Sequence, residues 1–139
     1  MINSKIIFLK ASNNQEKLLS LITTVQKHFD AAEKVLIYVP SNEASTYIDT
    51  LLWRMPEESF LPHKIANEPC QEHVVITCQK ENLNQAAVLI NLSQDLHPHF
   101  DAFPIVYDSY DETHPVKLEH SKARQSKYHE KGYSIIYET

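Results

Sequence analysis

Apolar residues along this chain fall into two spacings. Continuous runs come first: Lys5-Ile6-Ile7-Phe8-Leu9-Lys10, Lys34-Val35-Leu36-Ile37-Tyr38-Val39, His73-Val74-Val75-Ile76-Thr77-Cys78 and Ala87-Val88-Leu89-Ile90-Asn91-Leu92. Phe103-Pro104-Ile105-Val106-Tyr107 and Tyr133-Ser134-Ile135-Ile136-Tyr137 complete the set. Runs this short, rich in β-branched residues and bounded by turn formers, predict buried strands. Between them the spacing becomes helical. Leu18, Leu19, Ile22, Val25 and Phe29 define one face of a helix that Asn13 or Asn14 can cap. Ala44, Tyr47, Ile48, Leu51 and Leu52 define a second, capped by Ser41 or Asn42. Val116 to Lys131 reads as a third, stopped by Gly132 in the C′ position.

Strands that are continuous rather than alternating in apolar residues require cover on both faces of their sheet. Alternation of such strands with amphipathic helices predicts a three-layer α/β domain with a mostly parallel, Rossmann-like central sheet. No repeat, linker or low-complexity segment divides residues 1–139, which are expected to form a single domain. Asp108 to Pro115 is read as an acidic loop, and Gln79 to Gln85 as a turn.

One stretch fits neither spacing. Residues 51–63 contain the single Trp, Trp53, together with Arg54, Pro56, Phe60 and Pro62. Trp53 lies one step off the apolar stripe of the second helix, at the rim of the core. Aromatics beside a proline-bounded loop offer much apolar area at small entropic cost, as a protein-binding surface requires. The same residues could also simply plug the open end of the core, since Trp is usually well buried.

Charge and composition narrow the function. The net charge of −5 argues against a general nucleic-acid binder, whose affinity rests on neutralising phosphates. Residues 117–131 nevertheless carry +3, through Lys117, Lys122, Arg124, Lys127 and Lys131 against Glu119 and Glu130. At about 100° per residue, Lys117, His120, Arg124, Lys127 and Lys131 share one quadrant, with Leu118, Ser121, Gln125 and Tyr128 on the neighbouring arc. A basic stripe beside an apolar groove suits an acidic peptide with an aromatic end, although charge runs are commonly only solvated faces. Gly132 is the one glycine, so a P-loop and a dinucleotide fingerprint are both absent and no cofactor is expected.

Other constellations are weaker. His97 and His99 with Cys70, Cys78 or His114 fit no zinc spacing. The two cysteines are too few for a disulfide framework and are expected to be free thiols. No charged-then-apolar leader or membrane-length run is seen, so a cytoplasmic setting without membrane contact is expected. Asp108 with His114, near Ser109, provides the alternative of a small Rossmann-like hydrolase, without a nucleophile-elbow sequence to support it.

A further set of residues runs nearly end to end: Phe8-Leu9, Lys34-Val35-Leu36-Ile37, Leu52-Trp53 with Pro56, Glu58-Ser59-Phe60, Pro62 and His63, then Leu89-Ile90-Asn91-Leu92, Val106-Tyr107-Asp108, Arg124 with Tyr128, and Gly132-Tyr133. Through them the chain resembles the chi subunit family of the bacterial DNA polymerase III clamp-loader complex. The resemblance implies a nucleotide-free Rossmann-like domain acting as a non-catalytic adaptor, a monomer on its own, that meets DNA only indirectly. It implies that Trp53 and Phe60, with Arg54 and Pro56 shaping the loop, dock the psi subunit or an accessory DNA-repair helicase. It also implies that Lys122, Arg124, Lys127 and Tyr128 hold the acidic, Phe-ended tail of single-stranded DNA-binding protein. Lys122 stands where the family has its leading helix arginine and lacks that residue's bidentate fork. Gln125 and Ser126 replace an aromatic and a basic residue, and Lys127 offers a cation one position along.

Overall fold

A computed structural model describes residues 3–54 and 61–138. Among the described residues, seven strands and three helices follow one another as β1 (Lys5–Ala11), α1 (Asn14–Asp30), β2 (Val35–Tyr38), α2 (Asn42–Trp53), β3 (Lys64–Ile65), β4 (Val74–Thr77), β5 (Val88–Asn91), β6 (Ile105–Asp111), α3 (Pro115–Glu130) and β7 (Ile135–Glu138), with a 3-10 turn at Phe100–Ala102 before β6. The strands form one sheet in the order β3-β4-β2-β5-β6-β1-β7. Every pairing is parallel. The expected α/β class is observed, with the sheet parallel throughout.

Local chemistry accounts for the helix ends. Asn13 accepts the Glu16 amide at 2.8 Å, which satisfies one free amide of the first turn of α1, and the Glu16 carboxylate reaches back to accept the Ser12 amide just before the cap at 2.8 Å. Ser41 caps α2 by accepting from the Ala44 amide at 3.1 Å. Both α1 and α3 end in the same six-to-one and five-to-two hydrogen-bond pattern. In α1 the amides of Ala32 and Glu33 donate to Phe29 and His28; in α3 those of Gly132 and Tyr133 donate to His129 and Tyr128. The left-handed residue is Gly132 in one case, at φ +90°, and Ala32 in the other, at φ +59°.

The sheet divides the core into two layers. Ile7, Val35, Ile37, Ile76 and Ile90 face Leu21, Ile22 and Val25 of α1 and Ile48 and Leu52 of α2. Ile6, Phe8, Leu36, Val75, Leu89 and Val106 face the other way, toward Tyr128 of α3. One helix is too narrow to cover seven strands, and the rest of that face is sealed by Ala66, Leu83, Ala86, Phe100 and Phe103 from connecting segments.

Two expectations change. Lys64–Ile65 forms an edge strand, its residues paired with Val75 and Ile76, that no apolar run signalled. Asp108 to Asp111, expected as loop, instead extends β6 alongside Phe8 to Ala11 of β1. Pairing with a central strand outweighs the poor strand propensity of those acidic residues.

β1 and β6 are neighbours, yet β1 leads into α1 on one face and β6 into α3 on the other. Their divergence opens a crevice at the carboxyl ends of the strands, as at any such switch of direction in a parallel sheet.

Candidate functional site

The end of α2 presents Trp53. Ile48 and Leu52 point into the core, and a further step of about 100° carries Trp53 out of it, to 57 % exposure. Its ring rests on His63, with centroids 4.3 Å apart and planes at 45°. The His63 side chain is itself fully buried. Its Nδ1 donates to the Leu61 carbonyl at 2.8 Å, which fixes the ring, and Nε2 lies 3.1 Å from Asp49 Oδ1 of α2. Trp53 is thus an exposed aromatic on a rigid support, and plugging of the core does not describe it. Arg54 is the exposed C-cap of α2, its amide donating to Thr50 and Leu51. Pro56 and Phe60, the other two residues expected here, lie outside the described residues.

On α3 the four expected residues separate. Lys122 and Lys127 are exposed, and Lys127 Nζ reaches Asp95 Oδ1 at 2.7 Å. Arg124 and Tyr128 turn inward instead, at 5 % and 0 % exposure. Arg124 Nε donates to Asp108 Oδ1 at 2.7 Å, and its terminal nitrogens donate to the carbonyls of Gln94 and Ser109 at 3.0 and 3.1 Å. Tyr128 donates its hydroxyl to Asp108 Oδ2 at 2.9 Å, where Asn91 Nδ2 donates as well at 3.1 Å. The basic stripe is therefore interrupted at Arg124. Arg124 and Tyr128, expected with Lys122 and Lys127 to hold the tail, thus direct these donors to Asp108, Gln94 and Ser109 within the protein. The reason is the extension of β6, which carries Asp108 to the underside of α3.

Burial pushes the Asp108 carboxyl up, while the Arg124 guanidinium and three hydrogen bonds, from Ser109, Asn91 and Tyr128, pull against it. Burial and the Asp108 charge push the Tyr128 hydroxyl up, so it remains a donor. His114 is occupied too, because its Nδ1 caps α3 by accepting the Val116 amide at 3.1 Å. The two residues of the hydrolase alternative thus have separate structural duties. His97 is buried against Tyr38 and Phe103, and no group of three or more His, Cys, Asp or Glu is placed to hold a metal among the described residues. Among the same residues no helix is long and apolar enough to cross a membrane. Cys70 and Cys78 are free.

Sequence reasoning placed Trp53 correctly at the rim but missed Asn91 and Asp108 as partners of α3. The signal available was the polar Asn91 closing an apolar run, and Asp108 directly following one.

The fold and these surfaces define a class: a parallel α/β domain without a phosphate-binding loop, with an exposed aromatic at one helix end. Comparison with known proteins names the family. The profile of the DNA polymerase III chi subunit, HolC, matches residues 4–136. The DNA polymerase III subunit chi of Haemophilus influenzae is 31 % identical over 81 residues, a match covering 56 % of this chain and 56 % of that protein. The chain belongs to the DNA polymerase III chi subunit family.

Proposed function

We propose that this chain acts in bacterial DNA replication as a non-catalytic accessory subunit of the DNA polymerase III holoenzyme, joining the clamp loader, through its psi subunit, or a repair helicase to the C-terminal tail of single-stranded DNA-binding protein. The observation that carries the reading is Trp53, more than half exposed on a buried histidine. An aromatic held in place this way loses little entropy on binding, which is the property of an interface hot spot. Family membership supports the same reading, because a chi subunit is by name part of a larger polymerase assembly. Two modest contacts on one domain raise the effective concentration of each partner for the other without new chemistry.

The tail of single-stranded DNA-binding protein, acidic and Phe-ended, is assigned to the exposed cations Lys122 and Lys127, with Arg124 and Tyr128 holding α3 from below. Capture of the psi subunit by the full chain tests the first contact. Trp53→Ala and Phe60→Ala should lose it while circular dichroism stays unchanged, and retention by both variants would sink the assignment. Titration with a labelled tail peptide tests the second: Lys122→Glu should weaken it, and equal affinity for wild type and variant would exclude that surface.

A further inference from the structure

The crevice at the carboxyl ends of β1 and β6 adjoins α3 through Lys117, His120 and Arg124, but neither Trp53 nor the exposed Lys122 and Lys127 line it. It encloses about 630 Å³, which falls in the usual range of small-molecule sites, roughly 300–1,000 Å³. Its walls are apolar, with Leu18 of α1 facing Ile48 and Leu51 of α2. Cations gather at the α3 end. Two carboxylates line the crevice, and both are already neutralised: Asp108 by Arg124 at 2.7 Å, and Asp111 by Lys17 at 2.6 Å. Lys117 and His120 also line it, and neither side chain has an ion-pair or hydrogen-bond partner among the described residues. Among the described residues the lining therefore carries one positive charge in excess even with His120 neutral.

We propose that this crevice binds a small monoanion with an apolar body, such as an aromatic or branched aliphatic carboxylate, the body lying among Leu18, Ile48 and Leu51 and the acid group on Lys117 and His120. A polyphosphate fits less well. The only glycine, Gly132, follows the far end of α3, so no glycine-rich loop exists to bring several backbone amides to one ligand. Two side-chain donors above an apolar cleft suit a single acid group. The location follows from topology, since ligands of open parallel sheets gather where adjacent strands send the chain to opposite faces.

Anilinonaphthalene sulfonate, an aromatic monoanion whose emission rises in apolar surroundings, is a direct probe for titration of the full chain. Saturable enhancement is expected, weakened about two- to fivefold by Lys117→Ala, the size of one partly exposed charge contact. Ala44→Leu, which extends a side chain into the crevice, should abolish it, whereas Trp53→Ala should leave it unchanged. Absence of saturable binding, indifference to both crevice variants, or loss with Trp53→Ala would each overturn the proposal. Should Ala44→Leu fail to fold, amide chemical shifts of the wild-type chain carry the test beside Lys117→Ala. Changes centred on Val39, Leu92 and Ser109 support the site, and changes confined to Trp53 and His63 refute it.

Discussion

Arg124 Nε lies 2.7 Å from Asp108 Oδ1, with the two side chains 6 % and 0 % exposed. This pair joins the last helix to the centre of the sheet. Removing one member of a buried ion pair strands the other charge, at a cost of about 3–5 kcal/mol. That is a large part of the roughly 5–15 kcal/mol that holds a domain of this size together. Urea denaturation of Arg124→Met should show such a loss. Adding Asp108→Asn to it should recover part, because no uncompensated charge then remains. A loss below about 1 kcal/mol would mean the pair behaves as an exposed one.

The two matched helix ends make a second test. Ala32 and Gly132 hold the same left-handed position, where a Cβ costs about 1–2 kcal/mol. A Cβ on Gly132 would meet nothing within 4 Å, so its cost is conformational alone. Gly132→Ala should therefore destabilise by about 1 kcal/mol, and Ala32→Gly should stabilise by about 0.5–1 kcal/mol after the entropy of the freer unfolded chain is subtracted. Thermal melts of the two variants should move in opposite directions. A shift of both in the same direction would contradict the cap geometry.

His97 supplies a pH dependence. Burial, and then neighbouring His99, hold its imidazole down at about 4, against an ordinary 6.5. The fold accepts the neutral ring, so the unfolded chain takes up the proton first as pH falls. Stability from this residue is full above about pH 6.5 and declines steadily toward about pH 4, with about 1–2 kcal/mol lost between pH 7 and pH 5. His97→Phe keeps the aromatic contacts with Tyr38 and Phe103 and should flatten that slope in urea titrations. An unchanged slope would show that another group titrates.

Trp53→Ala separates binding from folding. With 57 % of the residue exposed, its loss should cost the fold under about 1 kcal/mol. The same change at a hot spot costs about 2 kcal/mol or more of binding, roughly thirtyfold in affinity for a psi-type partner. Calorimetric titration beside a thermal melt reads both, and a large drop in melting temperature with unchanged affinity would make Trp53 a structural residue.

Much of this was legible in the chain. Ile6 to Leu9, Val35 to Val39 and Val88 to Ile90 read as buried strands because strands covered on both faces show no apolar–polar alternation. Ser41 and Gly132 marked helix ends because a capping hydroxyl and a residue without a Cβ each act within a single turn. Trp53 read as a rim residue from its angle on α2 alone. Less was legible around α3. Arg124 shares a helical quadrant with four other basic or titratable residues, and only the position of Asp108 beneath it distinguishes a buried guanidinium from an exposed one. Lys64 and Ile65 pair because β4 offers an open edge, which nothing local announces.

By itself the sequence determined the α/β class, the helix boundaries, the absence of a phosphate loop and the outward angle of Trp53. Each of these depends on spacing or side-chain chemistry within a few residues. The tertiary structure decided the strand order, the inward turn of Arg124 and Tyr128, and the crevice between β1 and β6. Those depend on contacts between residues far apart in the chain, such as the 16 positions from Asp108 to Arg124, and the periodicity of one segment carries no information about which other segment will lie against it.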